Sequence, residues 1–141
     1  MRARFAALLL WGVASGALAA MPPSGMMANV YRLTEAGAAL ELCFQSAEYK
    51  ALPAEKVREF RGLSSRLGEI VRSIGRHYGD PSLFETYEST KARISADSKL
   101  KLHMKNHYGY CGERLAREME TYVSENEKLI GEYFGKASRA R

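Results

Sequence analysis

The chain has 141 residues, 21 Lys plus Arg against 16 Asp plus Glu, and 46% hydrophobic residues, which suits one globular domain and excludes a disordered tail. Its 4 Pro and 2 Cys exclude a collagen-like chain, a cysteine-dense miniprotein and a four-cysteine zinc module. After the N-terminal segment no run of about 18 apolar residues occurs, so the body of the chain reads as no membrane spanner.

The first residues have the pattern of an export signal. Arg2 and Arg4 are a short positive start, residues 5–13 are apolar, and Ala17-Leu18-Ala19 fits a small-residue cleavage site. Cleavage is expected after Ala19, or one residue later. No Cys follows it, which argues against a bacterial lipid anchor. The expected location is the bacterial periplasm or the medium. The processed chain would carry 19 basic against 16 acidic residues, a net charge of +3. That is too mild to indicate nucleic acid as a partner.

Residues 20–28, with Pro22, Pro23 and Gly25, read as a flexible leader. A first helix is predicted over 29–50, where Leu33, Ala36, Leu40, Cys43, Phe44 and Ala47 recur at three- and four-residue spacing. Pro53 restarts the chain, because proline suits the first helical position. The second helix, over 53–78, has the clearest apolar stripe: Val57, Phe60, Leu63, Leu67, Ile70, Val71 and Ile74. Gly79-Asp80-Pro81 then supplies a left-handed helix stop, a cap and a new start.

The third helix carries Leu83, Phe84, Tyr87 and Ile94. Its preferred end is Asn106, with a turn near Gly109; the alternative is a break at Ser95–Ser98 with Asp97 or Ser98 capping a new helix. The last helix is predicted over 110–134, on a stripe of Cys111, Leu115, Met119, Tyr122, Leu129, Ile130 and Tyr133, interrupted by Asn126. Residues 136–141 read as a frayed basic tail. No alternating β-pattern occurs. The expected fold is all-α: one domain over 29–135, an up-down-up-down four-helix bundle.

Cys43 and Cys111 are both in the expected mature part, and an exported chain with two cysteines favours one disulfide. It would join the first helix to the last. Closing a loop of that length is worth roughly 4 kcal/mol in the chain-entropy treatment.

Three features are candidates for function. His103, His107 and Cys111 lie four residues apart, so on a continuous helix they would share a face and offer ligands for Cu or Zn. A disulfide at Cys111, or a turn at Gly109, would dissolve that set. His77 sits at a predicted helix C-terminus, where the dipole favours a cation and no functional role is needed. Tyr108 and Tyr110 flank the predicted turn and form, with Tyr49, a tyrosine-rich pole suited to recognition or to sealing the bundle end.

The third feature is charge. The second and third helices together carry a net +5, the first −1 and the last −3. Arg58, Arg61, Arg66, Arg72 and Arg76 would make a positive face suited to an acidic protein partner, with contact to an anionic membrane surface as a further use. No H-E-x-x-H, G-x-S-x-G, phosphate loop or C-x-x-C is present. The expected role is an exported, non-catalytic protein-binding or accessory module without a cofactor. The alternatives are a periplasmic Cu/Zn-binding protein using His103 and His107, and a small enzyme or enzyme inhibitor.

Overall fold

The computed structural model describes residues 24–139, with side chains through Gly135. The expected signal segment therefore lies outside the described residues, as do the first residues of the leader. The described chain is all-helical: α1 (Ser24–Gln45), α2 (Ala47–Lys50), α3 (Ala54–Tyr78), α4 (Leu83–Ser95), α5 (Ser98–Tyr108) and α6 (Glu113–Arg139). None of these helices is long and apolar enough to cross a membrane.

Both ends of the helical region extend past expectation. α1 starts at Ser24, inside the segment read as leader, and the α6 backbone stays helical to Arg139, into the basic tail. Two predicted helices are broken. The first stops at Gln45 because Ser46 leaves the helical conformation; its Oγ donates to the Cys43 carbonyl (2.6 Å) and accepts from the Tyr49 amide (3.3 Å), capping α2. The predicted third helix does not continue to Asn106. It ends at Ser95, and Asp97 caps α5 by accepting from the amides of Lys99 (2.7 Å) and Leu100 (3.3 Å). A short acidic side chain there competes for free amides that a continuous helix would have used.

The stop after α3 has the form expected from the sequence. Gly79 is left-handed (φ 67°), and the Asp80 amide reaches back to the Gly75 carbonyl at 2.8 Å, the paired-bond ending that only a residue tolerant of positive φ supports.

The core forms on most, but not all, of the expected stripe residues; Ala47 is exposed and Val57 only partly buried. Phe60, Leu63, Leu67, Ile70, Val71 and Ile74 on α3 are buried with Leu33, Leu40 and Cys43 of α1, Leu83 and Tyr87 of α4, Met104 of α5, and Leu115 and Val123 of α6. Full burial of each large aliphatic side chain stabilises the fold by about 1.5–3 kcal/mol.

The most extensive helix pairings are α1 with α4 and α3 with α6. The first depends on small residues. A Cβ on Gly37 would lie 2.5 Å from the Tyr87 hydroxyl and 2.9 Å from Lys91 Cδ, so glycine is what lets α4 approach. Lys91 lies buried in this seam, its Nζ 3.4 Å from Glu41 and 3.1 Å from Glu88. The Tyr87 hydroxyl is buried without a hydrogen-bond partner among the described residues, and burial holds its phenol above the ordinary range.

Asn29 of α1 and Asn126 of α6 meet through their side chains. Asn29 Nδ2 donates to Asn126 Oδ1 (3.0 Å), and Asn126 Nδ2 donates to the Tyr122 carbonyl (2.9 Å). Asn126 is thus buried, while Leu129 and Tyr133, expected in the stripe, are about half exposed (51% and 46%). The inward line on α6 is Leu115, Met119, Val123, Asn126 and Ile130, a three- and four-residue spacing that contains one satisfied amide.

Cys43 and Cys111 form a disulfide with Cα atoms 5.0 Å apart. Cys111 is not on the last helix, as expected, but in the 109–112 link before α6. The bridge therefore ties α1 to a turn. Gly109 (φ 52°) and Tyr110 (φ 63°) are both left-handed there, and Tyr110 lacks glycine's freedom. Ser46 Oγ lies 3.4 Å from Cys111 Sγ, so the end of α1 and the bridge share one polar anchor.

Candidate functional site

The five arginines of the expected positive face do not act together. Arg66 faces α6, where its Nε and Nη2 grip both oxygens of Glu127 (3.1 and 2.6 Å), Nη1 reaches Glu120 (2.6 Å) and Nη2 reaches Ser124 (3.2 Å). Bidentate geometry of this kind strengthens an ion pair. The bonded guanidinium holds the Glu127 carboxyl below the usual carboxylate range. At the start of both helices Lys56 bridges Glu59 (3.1 Å) and Glu113 (2.8 Å). The positive α3 and the negative α6 thus pack on each other, and much of the charge asymmetry is neutralised inside the molecule.

Arg72 and Arg76 are engaged as well. Arg72 lies 3.9 Å over the Phe84 ring and pairs with Glu69 at 3.1 Å. Arg76 reaches Ser73 (3.1 Å) and Glu69 (3.8 Å). With Asp80 and Glu85 they border a groove between the end of α3 and the start of α4, so that groove carries both signs of charge. Arg58 and Arg61 are exposed on the outer side of α3, opposite its core stripe.

The tyrosines have structural partners. Tyr108 donates to Glu118, its ring lies under the Arg114 guanidinium (5.7 Å), and Arg114 Nε bonds Glu118 (3.0 Å). The bond to the Glu118 carboxylate raises the Tyr108 phenol and lowers Glu118. Tyr49 packs edge-on against Phe44 (5.1 Å). Tyr110, half-buried, lines a groove beside the disulfide with Gln45, Ser46, Glu48 and Lys101.

α5 differs from the other described helices. Asp97 and Gly109 cap its ends, and its inward anchor is Met104, 1% exposed. Its outer positions are Lys99, Lys101, Leu102, His103, Lys105, Asn106 and His107, all exposed, and no acidic residue lies between Ser98 and Tyr108. Leu102 is the most exposed large hydrophobic residue described, at 59%. Among the described residues Lys99, Lys101 and Lys105 form no ion pair, in contrast to Lys56, Arg66, Arg72, Arg76 and Lys91.

His103 and His107 lie side by side on this helix, ring centroids 4.3 Å apart and planes inclined by 40°. Cys111 does not complete the set: α5 ends at Tyr108, and the Cys111 sulfur is in the disulfide. No cluster of three or more His, Cys, Asp or Glu side chains placed to hold a metal lies among the described residues. His77 stacks on Phe134 (3.8 Å, 13°) with Tyr78 and Tyr133 edge-on, at the far end of α6.

Charge counted per predicted helix does not reveal α5. Its lysines are summed with a third helix that also holds Glu85 and Glu88, and only the break at Ala96–Asp97 separates the lysine-bearing segment. The signal is present as eleven residues without an acid after a capping Asp. Comparisons with protein-family models, with curated proteins and with solved structures found no match to this chain.

Proposed function

We propose that this is an exported, non-catalytic helical module that binds an acidic protein partner through the outer face of α5 and the adjoining Tyr110 groove. On this reading residues 1–19 direct export and are removed, and the helices form a four-helix bundle whose third member is broken into α4 and α5. One observation carries the proposal: α5 presents three exposed lysines around exposed Leu102, without internal counter-charge, while three of the five arginines of α3, Arg66, Arg72 and Arg76, are engaged with glutamates. Unneutralised cations steer an acidic partner, and an apolar residue among them adds a contact that excludes water.

A disulfide beside the site suits an oxidising compartment and holds the helix end in place. The test is quantitative capture from the exported fraction of the source cells. The parent chain is compared with Lys99→Glu/Lys101→Glu/Lys105→Glu and with Arg58→Glu/Arg61→Glu. The expected result is a stoichiometric partner on the parent and on the arginine variant, released as salt rises, and absent from the lysine variant. Equal capture by the lysine variant would overturn the assignment of α5.

A further inference from the structure

We propose that His103 and His107 form a surface site for one divalent transition-metal ion of the imidazole-preferring class, with Cu(II) bound more tightly than Zn(II). This site does not depend on the partner-binding reading. Two imidazoles one helical turn apart can each give one nitrogen to the same ion, and the 4.3 Å separation of their ring centroids places both beside one position in the solvent. Both side chains are exposed, so the remaining coordination positions are open to water or to a ligand from outside.

The helix beneath the pair is held at both ends. Asp97 caps its first turn, and the amides of Gly109 and Tyr110 return to the carbonyls of Lys105 and Met104. Met104, between the two histidines, anchors the helix in the core, and the disulfide follows four residues after His107. Binding then requires rotation of two side chains and no rearrangement of backbone, which keeps the ordering cost low. Lys99 lies one turn before His103, and its charge opposes any dication. That weakens all dications alike, and among them Cu(II) has the stronger intrinsic affinity for imidazole, above Zn(II). His77 lacks these conditions: its ring is stacked on Phe134 and has no second imidazole beside it.

The test uses the exported protein, stripped with chelator, desalted and titrated with Cu(II) alone by calorimetry and electron paramagnetic resonance. The expected result is one Cu(II) per chain with splitting from two nitrogens. His103→Ala or His107→Ala weakens binding by at least about tenfold, the lower end of what losing even an outer-shell partner costs. His77→Ala leaves it unchanged. Circular dichroism shows whether each variant is folded, and a misfolded alanine variant is replaced by the glutamine one. No uptake by the parent, or equal uptake by the folded His103→Ala/His107→Ala variant, would overturn the site.

Discussion

Gly37 shows how one missing carbon sets the spacing of two helices. Substituting alanine pushes a methyl group onto the Tyr87 hydroxyl and the Lys91 stem, both fixed in the α1–α4 seam. Overpacking of this kind costs about 1–3 kcal/mol. Gly62 is the internal control: it is exposed on α3, and a Cβ there would meet nothing within 4 Å. At that position alanine stabilises by about 0.5–1 kcal/mol, because glycine is a poor helix interior residue. Urea unfolding of the two variants should therefore shift in opposite directions. The small-residue run Ala36–Ala39 is visible in the sequence, but what it accommodates is not. A lysine is ordinarily read as solvated, and nothing local marks Lys91 as buried between Glu41 and Glu88. Asn126 escapes a local reading for the same reason: its partner, Asn29, is 97 positions away.

Apolar spacing located the long helices, whereas breaks and outward faces depended on short polar residues. Ser46 and Asp97 each divide a segment that hydrophobic periodicity alone reads as continuous. Asp97→Ala should cost about 0.5–2 kcal/mol. Hydrogen exchange should show the loss first in the amides of α5, which has only Met104 fully buried; uniform loss across all helices would contradict its role as a local cap.

The α3–α6 pairing makes a pH-dependent prediction. Arg66 depresses Glu127, so the stability this pair contributes is complete above the ordinary carboxylate range and is lost as pH falls through the folded-state value. The groups are substantially exposed, so Arg66→Met should cost no more than about 1 kcal/mol at pH 7. The difference from the parent should shrink as pH falls below the ordinary carboxylate range. A difference that stays constant as pH falls through the whole acid range, in matched urea curves, would show that the arginine acts through packing.

At the scale of the whole molecule, charge and topology have to be read together. Net charge per helix was legible, and so was the pairing of two cysteines. Which charges remain available to a partner was not, because that depends on which helices touch. Packing α3 on α6 brings Lys56 to Glu113 and Arg66 to Glu120 and Glu127, whereas α5 keeps its lysines at the surface. The disulfide holds the end of α1 to the link between α5 and α6, so the cationic helix sits on a constrained base.

The most direct measurement is the salt dependence of partner capture by the parent chain and by Lys99→Glu/Lys101→Glu/Lys105→Glu. A partner held by the parent, released by salt and missing from the variant is the expected result. A partner held equally by both, or indifferent to salt, would contradict recognition through α5.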